Sequence, residues 1–272
     1  MSEISPERRM PLHPARRGPR FRTIRILAAL VLREMATTYG KSAGGYAWAI
    51  IEPVLGIVLL SIIFGMILSH PGLGTNFPLF YATGFLPFTM FNDLTNKVAS
   101  SIRYSRPFLA YPSVTYIDAI LARVILNTLT HIMVMTVVIG GIFLIYRMPV
   151  VVNLGEFFEG LLMIVAISVG VGTLNCYLMT AFPIWERVWN ILTRPLFLAS
   201  GIFFLYDMMP YEAQHLLWFN PVLHCIAQVR KGIYPTYEAD FVSPFFVFGV
   251  SIALLLIGLI LLERNHRDLL ER

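Results

Sequence analysis

Long apolar segments, each able to cross a bilayer, limit most strongly how this chain can fold. About 20 apolar residues in a helix span the roughly 30 Å of bilayer hydrocarbon. Six such segments can be delimited, at residues 46–69, 77–94, 114–146, 157–182, 191–209 and 245–262. Charged residues make up only 14% of the chain, well below the roughly 25% of soluble domains. The sequence therefore predicts an all-α integral membrane protein with six transmembrane helices.

Lys and Arg are unevenly distributed between the segments that connect these spans. With the N-terminus placed in the cytoplasm, 17 of the 21 Lys and Arg residues fall on the cytoplasmic side and Arg123 falls inside a span. The remaining three, Arg147, Arg230 and Lys231, fall outside. Cytoplasmic loops of membrane proteins carry an excess of Lys and Arg. We therefore expect both termini in the cytoplasm, and we explain the net charge of +5 by topology and not by nucleic-acid binding.

The N-terminal region precedes the first span and divides into two parts. Residues 1–20 are rich in Pro and Arg and predict a disordered basic arm, without the apolar segment of a cleavable signal. Residues 21–39 predict an amphipathic helix lying in the membrane plane. Its apolar face carries Ile24, Leu27, Val31 and Met35, and its basic face carries Arg22, Arg25 and Arg33. That basic face either contacts a soluble partner or anchors the topology. The six-span domain then covers residues 44–262, and residues 263–272 form a cytoplasmic tail.

A short polar connector, residues 97–112, joins the second and third spans. It reads KVASSIRYSRPFLAYP and carries three cations and no acid. Pro107 and Pro112 bound a short helical piece within it. Because the surrounding chain is apolar enough to lie in lipid, this connector is one of the few places where a soluble protein could bind.

Ionisable residues in the spans lie near the predicted cytoplasmic boundary. Glu52, followed by Pro53, lies about a quarter of the way into the first span; it marks either a kink at headgroup depth or a proton relay. Asp118 and Arg123 are five residues apart in the third span and point to different faces, so each should pair with another group. Without a carboxylate at the bilayer centre, energy for uphill transport should come from another subunit.

Three further patterns concern helix packing. The second span carries Tyr81, Phe85 and Phe88, which indicate helix packing, a membrane belt or a sugar-stacking pore. Gly160, Gly170 and Gly172 in the fourth span permit close helix approach. Residues 211–243 are too apolar for a hydrated loop but are broken by Asn220-Pro221, which predicts two short amphipathic helices dipping into the outer leaflet.

Several kinds of site are excluded by spacing. Cys176 and Cys225 are the only cysteines, so no disulfide framework can form, and both are expected to be packing residues. Residues His215, His224 and Cys225 match no standard metal site. The stretch MATTYGKS lacks the first glycine of a phosphate-binding loop and precedes a span instead of following a strand.

Four stretches together resemble the membrane subunits of type-2 ABC exporters, most closely the capsular-polysaccharide branch (KpsM-type), which is related to the Wzm-type O-antigen permeases. These are the basic amphipathic helix, the SAGGYAWAIIEPVLGI entry to the first span, the connector SIRYSRPFLAYPSVTYIDAILARV and the FNPVLHCIAQVRKGIY segment. The resemblance extends over nearly the whole chain from about residue 21. The four stretches occur in the order and at the spacing of that family.

The resemblance implies a non-catalytic permease subunit that binds no cofactor of its own. Two copies would form a channel along their axis, driven by two copies of a cytoplasmic ATPase that carries ATP and Mg²⁺. The ATPase-coupling residues would be Arg103, Arg106 and Pro107 in a coupling helix at residues 100–113, with Arg22, Arg25 and Arg33 in an interface helix. Re-entrant periplasmic helices would contain Asn220, Pro221 and Arg230. Candidates for the substrate path are Trp48, Tyr81, Phe85 and Phe88.

In capsule systems the resemblance further implies a periplasmic adaptor of the polysaccharide co-polymerase type and an outer-membrane export protein. The location would be the bacterial inner membrane, and the cargo a lipid-linked capsular polysaccharide. Three alternatives stay open at this point. The first is an exporter of O-antigen, teichoic acid or a drug, the second a membrane-embedded lipid or sugar transferase, and the third a passive channel or a secondary carrier.

Overall fold

In a computed structural model, residues 22–38, 45–104 and 115–271 are described. Within these ranges the regular elements are all helical, so the all-α prediction is confirmed. In chain order the α-helices are α1 (Arg22–Thr38), α2 (Gly45–Ile67), α3 (Phe77–Ala99), α4 (Tyr116–Ile145), α5 (Leu154–Ala181), α6 (Trp185–Ala199), α7 (Tyr211–Leu217), α8 (Pro221–Ile233) and α9 (Pro244–Glu271). A helical turn at residues 101–104 follows α3, and a 3-10 turn, Tyr206–Met208, precedes α7.

Four of the described helices are long and apolar enough to cross a membrane: Ala47–Ile67, Tyr116–Ile145, Leu154–Ala181 and Pro244–Asn265. The chain is therefore a multi-pass helical membrane protein, and the count of six spans stays a prediction. The predicted second span forms α3, whose last turns carry Asn92, Asp93 and Lys97. The predicted fifth span forms α6, which has 15 residues and is about 22 Å long. That length is less than the hydrocarbon thickness.

The central helix is α5, which packs against α3, α8 and α9. The three glycines predicted to permit close helix approach do so, and each faces a different neighbouring helix. A Cβ atom on Gly160 would lie 2.8 Å from the backbone nitrogen of Val229 in α8. On Gly170 it would lie 2.5 Å from the Ser251 carbonyl oxygen in α9, and on Gly172 3.0 Å from the Thr95 carbonyl oxygen in α3. The helix backbones are therefore in direct contact along α5.

A buried arginine determines where α6 ends. Arg230, at the C-terminal end of α8, is only 2% exposed. Its guanidinium donates to the carbonyl oxygens of Gly201 (2.6 Å) and Ile202 (3.1 Å), and lies 4.3 Å from the centre of the Phe80 ring. Gly201 has a φ of +76°, a backbone conformation that favours glycine. The chain leaves the helix at Ser200, and the fifth span predicted at 191–209 is wrong as a continuous helix, because these carbonyls turn toward Arg230.

The segment before α9 contains the two short helices that the sequence predicted. Asn220 begins α8 as its N-cap: the side-chain oxygen accepts from the Val222 backbone at 3.0 Å, and the amide donates to the Ala199 carbonyl at 3.1 Å. Pro221 is the first helical residue, where its missing N–H costs nothing. Almost every side chain of α8 is buried in the subunit, so the apolar residues of this helix pack against protein. Its depth in the membrane stays a prediction.

The two cysteines are free and buried. Cys176 in α5 lies 3.7 Å from the Ser101 hydroxyl, and Cys225 lies in the main hydrophobic cluster. Both are packing residues, as expected.

Adding a methyl group at Gly170 tests the close packing of α5. Gly170→Ala places a Cβ against the α9 backbone, and we expect a loss of about 1–3 kcal/mol of stability, the usual cost of overpacking a core. Gly249→Ala is the matched control, because a Cβ there meets no atom within 4 Å. We expect the thermal unfolding midpoint in detergent to fall for the first variant and to stay unchanged or rise for the second. Equal midpoints would contradict the packing account.

Replacing Arg230 tests the anchor of the loop after α6. Arg230→Leu leaves several buried carbonyl oxygens without a donor, and we expect a loss of about 3–5 kcal/mol, as when one partner of a buried charged group is removed. The neighbouring Lys231 forms a partly exposed ion pair with Glu156 at 3.2 Å, so Lys231→Leu should cost less than about 1 kcal/mol. Unfolding midpoints of the two variants provide the comparison.

Candidate functional site

The segments that connect the helices lie at two opposite ends of the bundle. We call one the connector end; it comprises residues 96–104, the start of α4 and residues 182–190. We call the other the α8 end; it comprises residues 68–76, 146–153 and 200–243. The amphipathic helix α1 packs against α4, at the connector end. The connector end therefore holds both α1 and the described part of the polar connector, residues 97–104.

A single arginine joins three elements at the connector end. Arg123 of α4 is 4% exposed and forms an ion pair with Glu34 of α1 at 3.0 Å. Its guanidinium also donates to the Lys97 carbonyl oxygen and the Ser100 hydroxyl, each at 3.0 Å, and lies 4.8 Å from the centre of the Tyr104 ring. Arg123 therefore ties the interface helix to the end of α3 and the start of the connector.

A capping box positions the start of α4 below this arginine. The Asp118 carboxylate accepts from the backbone N–H (3.0 Å) and hydroxyl (2.8 Å) of Thr115, and the Asp118 N–H donates to the Thr115 hydroxyl at 3.2 Å. Such reciprocal bonds satisfy donors that a helix N-terminus leaves free. Asp118 and Arg123 thus have different partners, as the sequence predicted.

A second, more exposed ion pair crosses the connector end. Arg103, in the turn after α3, lies 3.1 Å from Glu186 at the start of α6, and both side chains are about half exposed. The neighbouring Trp185 donates its indole N–H to Asn175 of α5 at 2.9 Å, which holds the start of α6 in place. An exposed pair of this kind contributes less than about 1 kcal/mol, so Arg103 is available to exchange Glu186 for another partner.

These groups line a cleft of about 700 Å³, which we call the connector cleft. Its walls include the cations Arg33, Lys97, Arg103 and Arg123 and the acids Glu34 and Glu186. Positive charge therefore predominates, which is suited to an acidic partner surface. Of the residues predicted to couple to an ATPase, Arg33 and Arg103 lie here. Arg22 and Arg25 lie on α1, but their side chains, like Arg106 and Pro107, lie outside what the structure describes.

The four predicted substrate-path residues occupy different environments. Tyr81 and Phe88 are 0% and 4% exposed in the core; Tyr81 packs on Phe64 (5.4 Å between ring centres) and Phe88 on Phe197 (5.0 Å). Trp48 is 56% exposed. Trp48 and the half-buried Phe85 line a separate cleft beside α2. The structure thus brings Trp48 and Phe85 to one cleft, while Phe85 and Phe88 both pack against the Phe197 ring.

Sequence reasoning missed several residues that the structure places at these clefts. Glu34 is the sole acid in α1, a signal that could have marked it as an ion-pairing residue. Glu186 and His131 had no such signal, because their partners, Arg103 and Asp93, lie far away in sequence.

The α8 end carries Asn220, Pro221 and Arg230, whose contacts are described above. Here burial raises the pKa of the Tyr237 hydroxyl, and the nearby Asp207 carboxylate raises it further, so this group is neutral. Among the described residues, no group of three His, Cys, Asp or Glu side chains could hold a metal ion.

Comparison with known proteins gives a consistent result. The family model for the ABC-2 type transporter matches residues 26–234. The polysialic acid transport protein KpsM of Escherichia coli is 30% identical over 251 residues, covering 89% of this chain and 94% of the relative. The capsule polysaccharide export inner-membrane protein CtrC of Neisseria meningitidis serogroup A is 24% identical, covering 88% and 91%. BexB of Haemophilus influenzae, with the same descriptive name, is 26% identical, covering 88% and 90%.

Charge reversal tests the Glu34–Arg123 ion pair. Arg123→Glu or Glu34→Arg places two like charges together in a largely buried site, and each should destabilise the protein by about 3–5 kcal/mol. The double variant should recover part of that loss, since the attraction is restored but the bonds to Lys97 and Ser100 are not. Unfolding midpoints of the four proteins form a double-mutant cycle. Arg103→Ala, at the exposed pair, is the control; additive effects of the two reversals would contradict the pairing.

Proposed function

The chain belongs to the ABC-2 type transporter family, and on this basis we propose that it is the permease subunit of an ATP-driven exporter of lipid-linked capsular polysaccharide. It is a multi-pass inner-membrane protein. The observation that carries the proposal is the extent of the match: relatives named for transport of polysialic acid or export of capsule polysaccharide align over 88–89% of this chain and 90–94% of their own. A shared domain alone would not produce such coverage.

We propose further that ATP hydrolysis occurs on a separate cytoplasmic ABC ATPase, which holds ATP and Mg²⁺, and that this chain acts as a homodimer. In capsule export a periplasmic adaptor of the co-polymerase type and an outer-membrane export protein would complete the path. Two helices support a role for a second copy: α6 has no buried residue in a single subunit, and the apolar face of α2 is largely exposed. These faces meet either lipid or the second subunit.

In this proposal the connector end is cytoplasmic, with both termini on that side. The charge distribution supports it, because Arg147, Arg230 and Lys231 are the cations of the α8 end and the topology predicted from the sequence assigns the other cations outside the spans to the opposite side. The connector cleft would then face the ATPase, with Arg103, Arg106 and Pro107 and the basic face of α1 as contacts.

The contacts of Arg123 suggest how movement is transmitted. Because one guanidinium holds α1, the end of α3 and α4 together, a displacement of the connector carries the interface helix with it. The α3 and α4 helices then pass the displacement into the spans. Trp48 and Phe85 stay candidates for the substrate path, whereas Tyr81 and Phe88 would need a rearrangement of the core to reach a substrate.

Deletion of the gene in its bacterium tests the proposed function. If the chain is an exporter, its deletion should abolish surface capsule and cause lipid-linked polymer to accumulate inside the cell. If the chain is instead a transferase, its deletion should leave no polymer in the cell. Accumulation of O-antigen or teichoic acid instead of capsule would assign another cargo. Transport in proteoliposomes that proceeds without the ATPase and nucleotide would indicate a channel or a secondary carrier.

Charge reversal in the connector tests the coupling surface. We expect Arg103→Glu with Arg106→Glu to uncouple ATP hydrolysis from export while membrane insertion is unchanged, because the cations that face the ATPase become acids. Glu186→Gln is the matched control: it removes the internal partner of Arg103 but leaves the cations in place, so export should persist. Normal export by the double variant, measured as surface polymer, would refute the assignment.

A further inference from the structure

A polar cleft lies beside α2, separate from the connector cleft. Its volume is about 470 Å³, within the roughly 300–1,000 Å³ of typical ligand pockets. We call it the α2 cleft. Its polar walls are contributed by Glu52 of α2, Asn92 and Asp93 of α3, and Asn127 and His131 of α4, with Trp48 as an aromatic wall. Two of these three helices, α2 and α4, are apolar enough to span a membrane.

Polar groups at this position call for an explanation, because ionisable side chains in membrane helices are costly and usually serve a water-filled or ligand-filled cavity. Asp93 and His131 lie 3.4 Å apart and so partly satisfy each other across α3 and α4. Glu52 is exposed in the cleft and forms no hydrogen bond or ion pair with any described residue. The Asn127 amide nitrogen donates to the Arg123 carbonyl at 2.8 Å, and its amide oxygen has no donor in the same part of the chain. The Glu52 carboxylate and the Asn127 amide oxygen therefore remain hydrogen-bond acceptors without a donor among the described residues.

The combination of groups matches the chemistry of a neutral sugar. Carboxylate and amide oxygens accept hydrogen bonds from hydroxyl groups, and the indole of Trp48 offers a flat apolar surface for the C–H face of a pyranose ring. The two carboxylates, Glu52 and Asp93, share the lining with Lys97 and with His131, which pairs with Asp93. The α2 cleft therefore offers no excess of cations to hold a phosphate or an acidic sugar. A hydroxyl-rich, uncharged ring is the ligand that these walls fit.

The surroundings of the α2 cleft fit a sugar that is attached to a lipid. α2 packs mainly against α3 and contacts α4 little, so few helix contacts close the cleft between α2 and α4. Beyond it, Leu55 and Leu59 of α2 are 59% and 58% exposed, an apolar surface suited to an acyl or prenyl chain. On the other side, Lys97 lines both this cleft and the connector cleft, and its carbonyl accepts from Arg123.

We propose that the α2 cleft is a binding subsite for an uncharged sugar residue of the lipid-linked polymer, with Glu52, Asp93 and Asn127 as hydrogen-bond acceptors and Trp48 as the stacking surface. This rests on the proposed function. It adds a site within one subunit, next to the connector cleft. At this site the glycan would enter while its lipid stays in the bilayer.

Binding of simple glycosides to the full-length protein in nanodiscs tests this subsite. The probes are the neutral methyl glycosides of glucose, galactose, N-acetylglucosamine and N-acetylgalactosamine, with methyl phosphate and the methyl glycoside of sialic acid as anionic comparisons. We expect saturation-transfer NMR signals on the ring C–H protons of at least one neutral glycoside, and weaker signals for the anions. Trp48→Ala and Glu52→Gln should each weaken binding about tenfold, the effect of losing one good contact.

Both substituted side chains are exposed, so the variants should unfold at the wild-type temperature. Glu212→Gln, an exposed carboxylate on α7 outside the cleft, is the matched control and should bind as wild type does. The proposal would be overturned by absence of signal from every neutral glycoside, by wild-type signals in both the Trp48→Ala and the Glu52→Gln variant, or by stronger binding of the anions.

Export in cells separates this proposal from the proposed function. If the subsite is real, the double variant Trp48→Ala with Glu52→Gln should accumulate polymer inside the cell and show a severalfold loss of surface polymer. Wild-type export by the double variant would refute the subsite while the permease assignment stands. A deletion strain that accumulates no polymer would refute the permease assignment itself.

Discussion

Backbone contact along α5 is the constraint on which the rest of the structure depends. In a bilayer, apolar helices gain little from leaving lipid for one another, so association requires close packing and polar contacts. Gly160, Gly170 and Gly172 bring α8, α9 and α3 within backbone distance of α5. This packing fixes α8, and α8 in turn places Arg230 where it binds the carbonyls after α6. The α8 end is thus organised from the centre of the bundle outward.

Much of the fold follows from local sequence signals. Glycine spacing in α5 and the Asn220-Pro221 break act within a few residues, and the structure agrees with both. The third span, predicted from residue 114, begins as α4 at Tyr116. The end of α6 could not be predicted, because the apolar run continues to Met209 and the groups that bind the carbonyls at this end, Asn220 and Arg230, are distant in sequence. Local pattern identifies a helix; a tertiary contact decides where it stops.

The candidate sites were predictable only in part, for a related reason. Periodicity placed Arg33 on a basic face and composition marked the connector, but neither identified Glu34, Glu186 or His131, whose partners are distant in sequence. Aromatic density in the second span did not distinguish core from surface: Tyr81 and Phe88 turn inward, and Phe85 lines the α2 cleft. Which side of a helix faces a cavity depends on the helices that pack against it, and the sequence pattern does not specify that packing.

The loose attachment of α2 has an energetic consequence. Its apolar side chains contact lipid or protein of nearly the same polarity, so shifting the helix past its neighbours changes little of the solvation free energy. The resistance to such a shift comes instead from a few shape-dependent contacts, among them Gly56, whose missing side chain makes room for the Phe85 ring. A subunit built this way has a closely packed interior and one wall, α2, whose position is fixed chiefly by steric fit.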